Sequence, residues 1–179
     1  MHKLTFLALC GSLRHASYNR CALQALKRLS GNTADINLHS LGNLPLFNPD
    51  TENDNIPSVE AFKSSLKEAD GLIISSPEYA HGISGVMKNA LDWLVSTEAF
   101  VNIPIMLINT SPRATHAQQM LTEVLVTMSG NIVEKSSVVM PLLGTNLDAA
   151  GIVSDVELSG LLNTGLAQFC LGIRQSVVD

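Results

Sequence analysis

Short apolar runs alternate with longer segments of helical period along this chain of 179 residues. Such alternation is typical of a parallel sheet that is covered by helices on both faces. The pattern therefore predicts an α/β fold. Five strands are predicted, over Lys3–Leu9, Asp35–His39, Gly71–Ser75, Pro104–Asn109 and Ile132–Val139.

Helical periodicity predicts five helices between and after these strands. The last one begins at a capping box, in which Ser154 is followed three residues later by Glu157. The apolar stripe of this helix predicts core packing and not a cofactor site; its members are Leu158, Leu161, Leu162, Leu166, Phe169 and Ile173. The other four helices are predicted over Asn19–Ser30, Ser58–Glu68, Gly85–Thr97 and Thr115–Gly130.

Length and composition favour one domain over residues 1–179. With 46% hydrophobic and 15% charged residues, the chain can build one well-buried core, and it is too short for two full domains. Two connecting segments, Leu41–Ile56 and Leu142–Val153, are longer than a simple connection requires. Loops of that length are often functional.

Charge and cysteine usage exclude several classes of partner. The net charge is -5 and the lysines and arginines are scattered, so we expect no nucleic-acid partner. Cys10, Cys21 and Cys170 are odd in number and lack a metal-binding spacing, which indicates free thiols in a reducing compartment. The first apolar run is too short for a signal peptide, and no apolar run approaches the roughly twenty residues of a membrane span. We expect a cytoplasmic protein with no membrane partner.

The loop after the first predicted strand has the composition of a phosphate site. Gly11 permits a sharp turn, Ser12, Ser17 and Asn19 offer short donors, and Arg14 offers a bidentate guanidinium. The following helix adds free backbone N–H groups and the positive end of its dipole. Together these groups indicate a nucleotide or cofactor phosphate.

The same residues also have other interpretations. Taken singly, Ser17 or Asn19 is a helix cap and Arg14 a solvated charge. One glycine is too few for the Walker pattern or for the dinucleotide fingerprint, which disfavours ATP, GTP and a Rossmann-type NAD site. Cys10 invites comparison with a phosphatase, but the sixth residue after it is Ala16 and not arginine. We therefore expect Cys10 to be a small buried hydrophobe.

A second informative loop, Ser75–Gly85, follows the third predicted strand. In an open parallel sheet the loops after strands one and three become neighbours at the ligand crevice. Pro77 and Tyr79 can present rigid backbone and an aromatic wall to a planar ring. For Glu78 and His81 a structural or interface role is favoured over acid–base catalysis, because no third orienting group is visible. We expect Trp93, downstream, to be core or partly partner-facing.

Residues 11–19, 77–79 and 85–94 together resemble the NADPH-dependent FMN reductase family, as does the Leu44–Asn48 segment. This family of flavodoxin-like proteins includes reductases of flavins, quinones, azo dyes and chromate. The resemblance implies a three-layer sandwich with a five-stranded parallel sheet in the order 2-1-3-4-5 and helices on both faces. It covers most of the chain in the right order.

The resemblance also implies site residues. Ser12, Arg14, Ser17 and Asn19 would bind the FMN phosphate, with backbone contact from Leu13. The flavin ring would lie along the backbone of Pro77, Glu78, Tyr79, Ala80, His81 and Gly82, and Thr110 and Ser111 would contact it from a third loop.

Two positions depart from the family pattern. Ala80 stands where the family commonly has asparagine. The third loop, Thr110–His116, lacks the usual glycine pair; Arg113 and His116 in this loop either narrow the pocket or attract an anionic part of NADPH or of the substrate.

The function implied by the resemblance is hydride transfer from NADPH through bound FMN to a small acceptor, namely a flavin, a quinone, an azo compound or a metal oxyanion. No side chain need act as a covalent catalyst. The family's usual assembly implies a homodimer or homotetramer. The alternatives are a non-enzymatic FMN-binding electron carrier or redox sensor, and a degenerate member that has lost tight FMN binding.

Overall fold

The computed structural model describes residues 3–176 and contains a parallel main sheet. Its strands are β1 (Leu4–Cys10), β2 (Ala34–His39), β3 (Gly71–Ser75), β6 (Pro104–Asn109), β7 (Asn131–Ile132) and β8 (Val138–Val139). A separate antiparallel hairpin is formed by β4 (Glu78–Tyr79) and β5 (Gly82–Ile83). The main sheet has the order β2-β1-β3-β6-β7, and β8 also pairs with β6. The predicted α/β class and flavodoxin-like winding are confirmed, with β6 as the fourth strand and β7 and β8 sharing the fifth position.

Helices cover both faces of the sheet, as predicted. They are α1 (Tyr18–Ser30), α2 (Pro57–Lys67), α3 (Gly85–Asp92), α4 (Thr115–Thr127), α5 (Ala149–Ser154) and α6 (Val156–Ser176). Short 3-10 turns occur at Leu41–Asn43, Pro49–Thr51, Glu98–Phe100 and Glu134–Ser136.

The side chains of β1 alternate between two cores, because successive residues of a strand point to opposite faces. Phe6 and Ala8 belong to the core under α1, α5 and α6. Leu7 and Leu9 belong to the core under α2, α3 and α4. All four are essentially inaccessible to solvent, so the central strand is buried on both faces.

The prediction of one continuous fifth strand over Ile132–Val139 was wrong. Ile132 pairs with Ile105 and Val138 pairs with Ile108, so six residue steps of this segment lie beside three steps of β6. The extra residues of this segment form the 3-10 turn Glu134–Ser136. Periodicity alone did not show this interruption, since β-branched Val133 precedes the inserted turn and β-branched Val138 follows shortly after it.

Two helices end earlier than their patterns predicted. Helix α4 ends at Thr127 because Ser129 adopts a left-handed conformation with φ of 64°. The Ser129 N–H donates to the Val126 carbonyl, and the Gly130 N–H donates to the Leu125 carbonyl, each at 2.9 Å. This is a Schellman ending. Helix α3 ends at Asp92 and not at Thr97.

The start of the C-terminal helix was also predicted wrongly. Ser154 is the last residue of the short helix α5, which takes up residues 149–153 of the predicted Leu142–Val153 loop. The cap of α6 is instead Asp155, whose Oδ1 accepts a hydrogen bond from the Leu158 N–H at 2.9 Å. The predicted core stripe is buried except for Leu161, which is 38% exposed.

By length and composition, α6 is apolar enough to cross a membrane, with a mean hydropathy of 1.2 over its best window. The sequence analysis predicted no apolar segment of membrane-spanning length, and α6 is an exception to that prediction. Its buried residues, however, pack within the core that also contains Phe6 and Ile73. A core helix of a globular protein has these same properties.

The long segment after β2 is fastened to α3 by side-chain hydrogen bonds. Asn89 accepts from the Phe47 N–H at 2.8 Å and donates to the Pro45 carbonyl at 2.9 Å. The Trp93 indole N–H donates to the same Pro45 carbonyl at 2.8 Å. Asn89 thus holds this loop. Trp93 is fully buried, so its prediction as core is confirmed and it cannot face a partner.

Gly165 in α6 allows this helix to approach the sheet closely. A Cβ atom there would lie 2.5 Å from Val138 Cγ2 and 2.9 Å from the Ser136 carbonyl oxygen. Gly165→Ala should therefore lower the free energy of unfolding by about 1–3 kcal/mol through overpacking. Urea unfolding followed by circular dichroism measures this change.

Gly160 in the same helix provides the matched control. A Cβ atom there meets nothing within 4 Å, so Gly160→Ala should stabilise the protein by about 0.4–1 kcal/mol. Equal effects of the two substitutions would contradict the proposed close packing at Gly165.

The end of β2 carries a histidine whose burial affects stability. The His39 ring lies 4.9 Å from the Phe62 ring, and burial lowers the pKa of His39 below its usual value. As the pH falls, the unfolded chain therefore binds a proton at His39 at a higher pH than the folded protein does. Acidification then lowers the free energy of unfolding. The free energy of unfolding should decrease less for His39→Gln than for the unmodified protein between about pH 7.5 and about pH 5.5. Parallel slopes for the two proteins in urea titrations would contradict this expectation.

Candidate functional site

A crevice of about 310 Å³ lies at the carboxyl ends of β1, β3 and β6. This is the position at which open parallel sheets of this winding bind ligands, and the volume is within the usual range for small-ligand sites. Its walls come from the three loops that follow these strands and from the segment after β8. The lining residues are Ser12, Arg14, Ala16, Ser17, Tyr18, Asn19, Ser76, Pro77, Glu78, Tyr79, Asn109, Thr110, Ser111, Arg113, Ala114 and Leu143.

The first loop turns sharply away from β1 against the second loop. The Gly11 N–H donates to the Ser75 carbonyl at 2.9 Å. A Cβ atom on Gly11 would lie 2.2 Å from Ser76 Oγ. A glycine is needed here because the two loops approach too closely for any side chain.

Two serine hydroxyls of the first loop keep their protons available. Ser12 Oγ accepts from the Arg14 N–H at 3.3 Å, and Ser17 Oγ accepts from the Arg20 N–H at 3.4 Å. A hydroxyl that accepts from the backbone can still donate its own proton. Ser17 is thus both the N-cap of α1 and a possible donor to a bound anion.

The start of α1 completes a positively polarised end of the crevice. The first backbone N–H groups of a helix have no acceptor within the helix, and the dipole favours an anion there. The α1 start carries no acidic residue in its first turn. Arg14, exposed on the wall of the crevice, adds a full positive charge. This combination can hold a phosphate.

Asn19 has a structural role that the sequence did not predict. Its Oδ1 accepts from the Ser75 hydroxyl at 2.8 Å and from the Thr110 hydroxyl at 3.2 Å. Asn19, Ser75 and Thr110 are all buried. The amide oxygen therefore joins the first turn of α1 to the ends of β3 and β6.

The second loop is a β-hairpin whose two turn residues, Ala80 and His81, have φ of 50° and 60°. Two consecutive left-handed residues are characteristic of the type I′ turn of tight hairpins. Pro77, Glu78 and Tyr79 line the crevice. Ala80, His81 and Gly82, at the turn of the hairpin, are not among the residues that line it.

Glu78 fastens this hairpin to α4. Its Oε2 accepts from the Ala117 N–H at 3.0 Å, and its Oε1 is 3.1 Å from His81 Nδ1. The Ala117 N–H is the main cause that lowers the pKa of Glu78, and His81 contributes further. These contacts agree with the structural role favoured for the Glu78–His81 pair.

The third loop is shaped by Asn109 at the end of β6. Its Oδ1 accepts from the Ser111 N–H at 2.9 Å, and its amide donates to the Ala114 carbonyl at 3.4 Å. Thr110 and Ser111 line the crevice, as does Arg113. His116 does not line it, and its ring lies against that of His81 with a centroid distance of 4.5 Å.

Leu13 lies away from the crevice. It is 49% exposed, and its side chain faces Gly42 in the segment after β2. Any contact from Leu13 to a ligand would therefore come from its backbone.

Several lining residues were not among the predicted site residues. They are Ala16, Tyr18, Ser76, Asn109, Arg113, Ala114 and Leu143. Asn109 could have been found, because a polar residue at the carboxyl end of a buried strand points to a ligand site. Leu143 had no local signal, since it reaches the crevice only through the β8 connection.

The structure agrees with the interpretation of Cys10 as a buried hydrophobe. Its thiol donates to the Ser12 carbonyl at 3.4 Å, and burial raises the pKa of Cys10. A nucleophilic cysteine requires the opposite shift, because the thiolate is the reactive form.

The residues of the crevice fit a flavin mononucleotide. The crevice lining includes hydroxyl protons, an arginine and the α1 N-terminus for a phosphate. It also includes Pro77 and the exposed Tyr79, which suit a planar ring. The fold and the crevice thus define a mononucleotide-binding protein of the flavodoxin-like class.

Comparisons with known proteins identify the family. The sequence matches the profile of the NADPH-dependent FMN reductases over residues 4–142. It is 30% identical over 175 residues to an NAD(P)H-dependent FMN reductase of Pseudomonas aeruginosa, covering 94% of this chain and 95% of that protein. It is 31% identical over 142 residues to a quinone reductase of Escherichia coli, covering 74% and 75% of the two chains.

A solved structure agrees with this identification. The flavoenzyme NAD(P)H:(acceptor) oxidoreductase FerB of Paracoccus denitrificans superimposes with a TM-score of 0.78 and 26% identity, covering 96% of this chain and 98% of that one. The chain belongs to the NADPH-dependent FMN reductase family. It is an oxidoreductase of the type that uses FMN and NAD(P)H.

The Asn19 hydrogen bonds can be tested by Asn19→Ala. The substitution leaves the buried Thr110 hydroxyl without this acceptor, while the Ser75 hydroxyl keeps the Ile108 carbonyl at 2.8 Å, so the free energy of unfolding should fall by about 1–3 kcal/mol. Urea unfolding provides the measurement. Asn163→Ala, at an exposed position of α6, is the control and should change stability by less than about 0.5 kcal/mol. Similar small effects at both positions would show that Asn19 does not hold the strand ends.

Proposed function

We propose that the crevice at the ends of β1, β3 and β6 binds FMN and that the protein passes electrons from NADPH to a quinone or a flavin. The observation that supports this most directly is the set of groups that line the crevice. Anion donors from the first loop line it together with Pro77, Glu78 and Tyr79. The names of the relatives, an FMN reductase and a quinone reductase, support the choice of acceptors. An azo compound and a metal oxyanion remain the other acceptor classes to test.

The first loop would bind the phosphate. Arg14 would supply charge and a bidentate pair of N–H donors, while Ser12 and Ser17 would donate the protons that their backbone hydrogen bonds leave free. Asn19 would contribute its backbone N–H and its side-chain NH2 group, since Ser75 and Thr110 use only the amide oxygen. Leu13 would contribute backbone alone.

The second and third loops would position the ring. Pro77, Glu78 and Tyr79 would lie along it with their backbone, and Thr110 and Ser111 would approach from the opposite wall. Bound FMN supplies the chemistry, by accepting hydride and passing electrons on. The protein's own task is to orient both reactants and to limit access of water. Arg113, exposed at the rim, would attract the phosphates of NADPH.

We propose a cytoplasmic homodimer or homotetramer whose other partners are small molecules only. Tyr79 is 56% exposed and Met120 is 48% exposed. They are neighbours, because Tyr79 pairs with Gly82 in the hairpin and the sulfur of Met120 lies 3.9 Å from the Cβ position of Gly82. An apolar surface of this kind beside the crevice supports a subunit contact next to the bound ring.

The function is tested first by the visible spectrum of the untagged protein. Purified protein should absorb at about 450 nm, and NADPH added without oxygen should bleach this absorbance. Re-oxidation by a quinone or by free flavin then identifies the acceptor. Protein that remains colourless and takes up no added FMN would exclude the proposed reductase. Bleaching without turnover of any small acceptor would favour the electron carrier.

Arg14→Ala should weaken FMN binding by about 10- to 100-fold, the cost of about 1.5–3 kcal/mol for a charged hydrogen-bond partner. Quenching of FMN fluorescence on titration with apoprotein measures the dissociation constant. Arg28→Ala removes an exposed arginine at the far end of α1 and should leave FMN affinity unchanged. Equal affinities of the two variants would place the phosphate elsewhere.

A further inference from the structure

The hairpin turn and the start of α4 bring two histidines and one carboxylate together outside the crevice. His81 stands on the turn, His116 is the second residue of α4, and Glu78 is the first residue of β4. One potential ligand atom from each of the three side chains lies within 4.8 Å of the other two. They are thus convergent although they come from two separate segments of the chain.

The distances within this cluster are close to those around a bound metal ion. Zinc ligands at about 2.0–2.1 Å from the ion stand about 3.3 Å apart in a tetrahedron. Glu78 Oε1 and His81 Nδ1 are 3.1 Å apart. The two imidazole rings meet edge to face with a centroid distance of 4.5 Å. Small rotations of exposed side chains are enough to close the remaining distances, since His81 and His116 are both exposed.

The carboxylate is held in place before any ion arrives. Glu78 Oε2 accepts from the Ala117 N–H at 3.0 Å, which leaves Oε1 directed at His81. Hydrogen bonds of this kind orient ligating carboxylates in metal sites. The negative charge also offsets the positive end of α4, which otherwise repels a cation.

We propose that Glu78, His81 and His116 form a binding site for one divalent transition-metal ion of the kind that imidazole prefers, such as Zn²⁺. The neutral tautomer of His81 with its proton on Nε2 leaves Nδ1 free to coordinate. Two imidazoles and one carboxylate provide three ligands and leave a coordination position open to water or a small anion. This site does not depend on bound FMN.

The location gives the site a consequence for the crevice. Glu78 lines the crevice, and its carboxylate contacts His81 and the start of α4. A bound ion would therefore fix the hairpin against α4 from the outside. The ion would not occupy the volume that the proposed cofactor needs.

Equilibrium dialysis of the untagged full-length protein against Zn²⁺, with metal analysis of the retained protein, tests the proposal. One Zn²⁺ per chain is expected, removable by a chelator, with and without FMN. His81→Asn and His116→Gln should each weaken binding by on the order of 10- to 100-fold or more. Asparagine suits position 81 because it tolerates the left-handed conformation found there.

His15→Gln provides the matched control, since His15 is an exposed histidine outside the cluster. It should retain one Zn²⁺ per chain. Absence of stoichiometric binding to the unmodified protein overturns the proposal, as does binding that persists in both cluster variants. Circular dichroism of each variant confirms that the fold is intact. A failure of FMN binding in the same samples would count against the proposed function and not against the metal site.

Discussion

The amide oxygen of Asn19 accepts hydrogen bonds from the Ser75 and Thr110 hydroxyls, and it thereby joins α1 to the ends of β3 and β6. The Gly11 N–H, directly after β1, donates to the Ser75 carbonyl and so connects the end of β1 to the end of β3. Three loops can line one crevice only if their strands end at a fixed spacing. Loss of the Asn19 side chain would remove the acceptor of the buried Thr110 hydroxyl, while the Ser75 hydroxyl also lies 2.8 Å from the Ile108 carbonyl oxygen. The spacing of the crevice walls therefore depends on this network.

Elements with a strong and continuous apolar pattern could be predicted from the sequence. Strand β3 has the predicted bounds, and β6 does too, because both lie in the buried centre of the sheet. The errors lie where local geometry competes with periodicity. Ser129 ends α4 by adopting a left-handed conformation, and Asp155 caps α6 one residue after the predicted cap. Neither choice is visible in the hydrophobic pattern.

Some residues of the site could likewise be predicted from the sequence, and others could not. Ser12, Arg14 and Ser17 could be placed from composition, since a strand followed by a polar loop and a helix has few alternative uses for such donors. The side chain of Asn19 could not be assigned, because its partners are 56 and 91 residues away along the chain. Ala80 and His81 form a two-residue turn in the left-handed conformation. The sequence does not predict this turn, because it lacks the usual Asn-Gly pair.

The hairpin β4–β5 has two distinct sides, and this division explains how the altered third loop can still form a crevice wall. Glu78 and Tyr79 of the hairpin line the crevice, while the Glu78 carboxylate accepts from the Ala117 N–H at the start of α4. The third loop leads directly into that helix. Asn109 fixes the other end of the loop through Ser111 and the Ala114 carbonyl. With both ends anchored, Thr110–Ala114 needs no glycine pair to hold its position beside the second loop.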